Sequence, residues 1–292
     1  MGFLLLKSLL YGILEGVTEW LPVSSTGHLI LLESFLSLDV GTSLHPQFAS
    51  QFRELFLVAI QLGAVFAVVT AYAGRLFPLG KGKSDQMHAV NIWKRVIVGC
   101  IPAGLAGIFL DMILEKLTGK DMDGLLYNAP TVAAMLILYG VLFMLVELLQ
   151  KGRPPRVTDL SQMPMTLALG IGAFQMLSLV PGTSRSGATI LGGLLLGLSR
   201  PAAAEFSFFM AIPVMAGACG VKTLGFVRFM LQNGLRMPWQ AAVLLLAAGA
   251  VAYVTSRLTI RFLMAFTGRH GFVPFGIYRI VLGCAVRCYY LF

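Results

Sequence analysis

Apolar residues run along this chain in blocks long enough to cross a bilayer, with polar residues confined to the gaps between them. A spanning helix takes about 20 apolar residues. Blocks of that size fall at 53–72, 96–114, 131–149, 202–222, 239–258 and 273–292, and they predict six spans. Two further apolar stretches, near 3–36 and 163–198, are interrupted in the middle.

The interruptions resemble each other. Gly12–His28 reads GILEGVTEWLPVSSTGH and Ala173–Thr189 reads AFQMLSLVPGTSRSGAT. Each starts on an apolar helical run, breaks at a proline (Pro22, Pro181) and continues through hydroxyls and glycine into a second apolar run. Proline stops a helix and biases the preceding residue toward extended backbone. Ser24 or Ser25, and Thr183 or Ser184, could then cap the helix that follows. The likeness continues downstream, where Glu54–Ala64 (ELFLVAIQLGA) resembles Glu205–Ala218 (EFSFFMAIPVMAGA). The expectation is an all-α integral membrane protein forming one polytopic domain over residues 1–292. It has about six transmembrane helices plus two re-entrant broken helix hairpins, in halves of approximately 1–150 and 160–292.

Composition supports a membrane class. The chain is 57% hydrophobic and 12% charged, against roughly 25% charged residues in soluble domains. The net charge of +9 is read as topology, because Lys and Arg mark cytoplasmic loops. Arg75, Lys81, Lys83, Lys94 and Arg95 lie between the first two spans. Lys151, Arg153 and Arg156 follow the third, and Arg257, Arg261 and Arg269 follow the fifth. Glu115, Lys116, Lys120, Asp121 and Asp123 form a mixed outer loop, while Lys222, Arg228 and Arg236 fall outside against the rule. On this count the C-terminus lies outside and the two halves are inverted repeats. In that architecture broken helices meet near the midplane. Cys100, Cys219, Cys284 and Cys288 lack metal-ligand spacing and read as packing residues. Residues 3–14 carry no cleavage site and are interrupted by Glu15 and Glu19, so the segment is expected to be retained. Nothing in the chain points to nucleic acid, haem, zinc or nucleotide; homo-oligomerisation stays open.

Polar groups at membrane depth are costly and mark functional sites. Glu15 and Glu19, at i and i+4, share one helix face. Two such carboxylates call for a bound cation, a shared proton or an arginine partner, and hard oxygen ligands suit Mg²⁺ or Ca²⁺. Ser25 and His28 can share a face three residues apart, as a nucleophile and its base would. Arg185 sits in PGTSRSG, where its guanidinium could bind phosphate oxygens or pair with Glu15 or Glu19. Ser24, Thr26 and Gly27, with Thr183, Ser184 and Ser186, are the candidate substrate-binding positions. Two helix N-termini facing one cavity would favour an anion. His45, His88 and His270 fall in predicted loops and attract no catalytic reading. Arg279 could reach a headgroup, pair with Glu54 or Glu205, or line the site, and is assigned no role.

EGVTEWLPVSSTGH and PGTSRSGAT, with IQLGA, EFSFFMAIP and a late IYR, resemble the bacterial undecaprenyl-diphosphate phosphatase family of bacitracin-resistance type. The resemblance covers nearly the whole chain. It implies a multi-pass enzyme of the bacterial plasma (inner) membrane, with its site facing the outer, periplasmic side. Such an enzyme removes the terminal phosphate of undecaprenyl diphosphate among membrane lipids, recycles the carrier for peptidoglycan synthesis and requires a divalent cation. It also implies Glu15 and Glu19 as essential carboxylates, Ser25 as candidate nucleophile, His28 as the motif histidine and Arg185 as the phosphate-binding arginine. The segment Leu38–Gln51 is longer than the family's usual one.

Without the family, the residues suggest serine attack on the terminal phosphorus, assisted by His28, with His28 activating water or attacking directly as a variant. A lipid-phosphate flippase or transporter is the alternative, since inverted repeats and broken helices are what transporters show. A second lipid-phosphatase superfamily, with a KxxxxxxRP…PSGH…SRxxxxxHxxxD pattern, fails because no histidine follows Arg185 at the needed distance.

Overall fold

Inside a bilayer the backbone must satisfy its own hydrogen bonds, and helices do so within one segment. The computed structural model describes residues 1–38, 40, 45–80, 82–119, 125–126 and 128–290, and strands are absent among them. Lys81, Lys120, Asp121 and Asp123, and part of Leu38–Gln51, lie outside the described residues. The main helices are α1 (Gly2–Thr18), α2 (Ser25–Phe35), α3 (Phe48–Ala71), α4 (Lys83–Thr118), α5 (Ala129–Gln150), α6 (Met165–Met176), α7 (Arg185–Leu195), α8 (Arg200–Gln232), α9 (Trp239–His270) and α10 (Val273–Tyr289). Five of them, α3, α4, α5, α8 and α9, are long and apolar enough to cross a membrane. The helix over the sixth expected span, α10, has 17 residues.

Several helices outrun the apolar blocks that announced them. Lys83, Lys94 and Arg95 belong to α4 rather than to a loop, and Lys222 and Arg228 lie in α8. Arg257, Arg261 and Arg269 likewise lie in α9. Hydropathy marks the depth of the hydrocarbon, whereas backbone hydrogen bonding continues past it. For the same reason His88 and His270 are helical, contrary to expectation. His88 bonds Ser161 at 2.8 Å, and His270 stacks on Phe266. His45 does lie outside the helices.

Polar contacts sort the helix ends. At one end Lys7 reaches the Ser37 carbonyl, Arg53 pairs with Glu33, and Lys222 pairs with Glu54 at 2.7 Å. At the other, Arg75 pairs with Glu205 and, at 3.8 Å, with Asp159. Glu54 lies in the first third of α3 and Arg75 just past its end, so most of the helix, whose 24 residues span about 36 Å, separates them. The hairpin α1–α2 therefore opens at one end of the bundle and α6–α7 at the other.

Partners are exchanged between the halves: α1 packs on α9, and α6 packs on α4. Both contacts need glycine. A Cβ on Gly12 would lie 2.4 Å from the Ala248 carbonyl oxygen, and one on Gly172 would lie 2.1 Å from that of Gly99. Large apolar side chains such as Leu105, Ile108, Phe109 and Leu246 face outward. A continuous apolar exterior of this kind suits lipid.

Candidate functional site

The two chain breaks produce the same local geometry. Ser24 (φ 72°) and Ser184 (φ 71°) are the only described non-glycine residues with positive φ. That region is costly for a side-chain-bearing residue, about 1–3 kcal/mol, and persists where surroundings enforce it. Each serine also caps the helix that follows. Ser24 Oγ accepts from Gly27 N–H at 3.3 Å and Ser184 Oγ from Gly187 N–H at 3.1 Å. Of the alternatives open from the chain, Ser24 and Ser184 are thus the caps.

The turns meet through Glu19. Its backbone still has helical dihedrals, and its N–H donates to the Glu15 carbonyl at 3.0 Å. The two carboxylates therefore stand one turn apart on the same face of α1. Glu19 Oε1 accepts from Arg185 at 2.9 Å, and Oε2 accepts from the Ser25 hydroxyl at 2.8 Å. Arg185 also donates to the Ser207 carbonyl at 2.7 Å, with its guanidinium 5.7 Å from the Trp20 ring. Ser186 Oγ closes the junction by donating to the Glu19 carbonyl at 2.9 Å. The arginine pairing foreseen for the carboxylates is real, and Glu19 is the partner.

Glu15 is different. It is fully buried, and neither carboxylate oxygen has a hydrogen-bond partner. A buried acceptor left unmatched costs about 1–3 kcal/mol, more if charged, so the carboxylate is suited to a group not supplied by protein. No cluster of three or more His, Cys, Asp or Glu suited to a metal ion occurs among the described residues. Protein could supply the Glu15 and Glu19 carboxylates alone. A small hard cation is commonly held by one or two carboxylates with substrate phosphates completing its shell, so the residues fit that mode.

His28 is not brought to Ser25. Its Nδ1 lies 2.7 Å from the Ser24 carbonyl and so carries the hydrogen, and its Nε2 lies 2.7 Å from the Tyr278 hydroxyl. The two rings stack nearly parallel at 5.6 Å. Beside them is a cavity of about 360 Å³ walled by Val17, Leu21, Val23 and Phe275, with Thr18 and His28 at its polar edge. Thr26 is half-buried, Gly27 and Thr183 are buried, and Ser184 Oγ lies 3.2 Å from Ser186 Oγ.

Arg279 has the largest role that the chain alone left unassigned. It is completely buried and donates to the carbonyls of Pro22 (3.1 Å), Gly182 (2.9 Å) and Thr183 (3.0 Å). One guanidinium thus ties both chain breaks together. Glu54 and Glu205, one of the alternatives left open for it, are paired with Lys222 and Arg75 instead. The late IYR was a visible signal, but its targets are backbone carbonyls that no residue pattern announces.

The pattern of two capped breaks joined by Glu19 and Arg185 has relatives. The model of the bacitracin resistance protein BacA family matches residues 8–285. The chain belongs to the BacA family. A member from Desulfitobacterium hafniense, named undecaprenyl-diphosphatase, is 45% identical over 287 residues, covering 97% of this chain and 95% of the relative. Undecaprenyl-diphosphatase 1 of Clostridium acetobutylicum is 44% identical over 98% of this chain and 97% of its own. The Enterococcus faecalis undecaprenyl-diphosphatase is 42% identical, with 98% and 97% covered. The BacA match takes in both chain breaks and Arg279.

Proposed function

We propose that the protein hydrolyses undecaprenyl diphosphate to undecaprenyl phosphate and phosphate. The observation that carries the reading is the Ser25–Glu19–Arg185 chain of hydrogen bonds at the junction of two helix N-termini. A hydroxyl, a carboxylate able to accept its proton and a cation suited to phosphate stand side by side there, which supports the reading. The apolar cavity beside Thr18 and His28 offers a wall for the prenyl chain. Full-length relatives named undecaprenyl-diphosphatase support the same substrate. The transport alternative draws no support from them.

In the reaction proposed, Ser25 Oγ passes its proton to Glu19 and bonds to the terminal phosphorus. The bond from phosphorus to the bridging oxygen breaks, and undecaprenyl phosphate departs. Its second pKa is about 6, so departure needs no strong acid. Arg185 turns from Glu19 to the phosphoryl oxygens as charge builds there, the role fixed cations play in phosphoryl transfer. Water then cleaves the phosphoserine, and Ser25 regains a proton. Glu15 and Glu19 would hold a divalent cation, Mg²⁺ or Ca²⁺, which when bound neutralises phosphate charge. The bacterial plasma membrane, with the basic end inward and substrate reached from outside, completes the proposal on the positive-inside distribution.

Phosphate release from undecaprenyl diphosphate in detergent, with Mg²⁺, Ca²⁺ or chelator, tests this reading. Metal-dependent release is expected; none from folded protein under any metal would refute it. Ser25→Ala should abolish turnover and the phosphorylated-serine intermediate seen by rapid acid quench. Near-normal release from that variant would eliminate serine attack. Because the Ser25 proton goes to Glu19 here, Tyr278→Phe leaves only His28 Nε2 without its partner, a stability cost of about 1–3 kcal/mol that falls outside the chemistry. Turnover of Tyr278→Phe is expected within about threefold of the parent. A loss matching that of Ser25→Ala would put the His28–Tyr278 pair in the chemistry.

A further inference from the structure

A second polar region lies at the Arg75 end of the bundle, away from Glu19. Two neighbouring cavities of about 410 and 440 Å³ share Gln150, Arg153 and Gly197. Their cationic lining comprises Lys151, Arg153, Arg156 and Arg200. Arg200 is compensated: it forks onto Glu147, with Nε to Oε1 at 2.9 Å. Glu147 also accepts the Phe272 N–H at 2.8 Å, so this carboxylate is neutralised. Asp159 and Glu205 are engaged by Arg75. Lys151, Arg153 and Arg156 are exposed and pair with no acidic residue among the described ones. Three uncompensated cations thus rim the cavities.

They are held on a fixed frame. Arg156 N–H and Val157 N–H both donate to the Gly197 carbonyl (2.8 and 3.2 Å), and Ser199 N–H donates back to Val157 at 2.9 Å. Gln150 reaches the Leu194 carbonyl at 2.6 Å. The segment after α5 is in this way stapled to the turn between α7 and α8. The walls are not wholly polar: Val146, Leu194, Leu198 and Pro201 line the 410 Å³ cavity. Leu148 and Leu195, on the same helix ends, are 67% and 42% exposed. A basic rim over an apolar wall, at the edge of the lipid-facing surface, matches an anionic lipid better than a free anion, which has no use for the apolar side.

We propose that this pocket binds the headgroup phosphate of an anionic phospholipid, whose acyl chains run along Leu148 and Leu195. The site is separate from the one that cleaves substrate, since none of its rim residues touches Glu19, Ser25 or Arg185.

The test uses full-length protein in detergent and the K151Q/R153Q/R156Q variant, with bound lipid read by native mass spectrometry. Dioleoyl phosphatidylglycerol, dioleoyl phosphatidylcholine and inorganic phosphate are the probes. The parent is expected to retain phosphatidylglycerol about tenfold or more over phosphatidylcholine, and the variant to lose that preference. Inorganic phosphate should not compete at equal concentration. Equal retention by parent and variant would overturn the site, and so would equal binding of the two lipids. Displacement by inorganic phosphate at equal concentration would overturn the lipid assignment. Substrate cleavage by the variant at the parental rate shows that it is folded. If the triple variant fails to fold, the same comparison with R153Q alone, expected to lose at least half the preference, decides the matter.

Discussion

Glu19→Gln and Arg185→Ala should each slow phosphate release from undecaprenyl diphosphate by roughly 10²–10³-fold, the cost of removing one preorganised electrostatic group from a phosphoryl- or acyl-transfer site. The two act in different ways. Glu19→Gln keeps the size of the side chain and an acceptor for Ser25, but the amide cannot take up the serine proton. Arg185→Ala keeps the base and loses the cation that meets phosphoryl charge. Arg185→Lys restores the charge but not the planar fork, since Lys is a point donor, so only part of the activity should return. Both losses should appear in kcat with the protein still monodisperse in detergent. A Glu19→Gln protein within fivefold of the parent would remove Glu19 from proton transfer. The effects should also fail to add: Glu19 and Arg185 share a 2.9 Å hydrogen bond, and neighbours in one network couple.

Arg279→Met should have the largest effect on stability. The substitution preserves a long apolar stem but strips donors from the carbonyls of Pro22, Gly182 and Thr183. Each buried carbonyl left without its donor costs about 1–3 kcal/mol. The expected result is a marked drop in the temperature at which the protein loses monodispersity in detergent. Phosphate release should also fall, because the turns that place Ser25 and Arg185 are no longer held together. Arg279→Lys should recover less than half of the stability, since one ammonium cannot span carbonyls from both turns. Unchanged thermal behaviour in Arg279→Met would show that the turns hold without their brace.

Much of this arrangement was readable from the chain because intramembrane polar residues are rare enough to stand out. Glu15, Glu19, Ser25, Arg185 and the prolines lie in otherwise apolar stretches, and the residues after each proline narrowed the caps to Ser24 or Ser25 and to Thr183 or Ser184. The two breaks in otherwise apolar stretches were also legible, through Pro22 and Pro181. The lengths of α4, α8 and α9 were not, since hydropathy reports the hydrocarbon depth rather than where helical hydrogen bonding stops. The pairing of His28 was also missed. Spacing at i and i+3 puts Ser25 and His28 on one helix, yet rotamers and neighbours decide what each side chain meets. Tyr278, 250 residues away, won the imidazole.

By itself the sequence determined an all-helical membrane protein, two proline-broken hairpins and the identity of the polar residues they carry. Each of these depends on local spacing or on the cost of polarity in an apolar segment. The tertiary structure alone decided which groups are partners: Ser25 with Glu19, His28 with Tyr278, and Arg279 with three carbonyls from two distant turns. Those pairings depend on the relative placement of helices far apart in the chain, set by close glycine-mediated contacts such as Gly12 against Ala248 and Gly172 against Gly99, and backbone carbonyls leave no mark in a residue pattern.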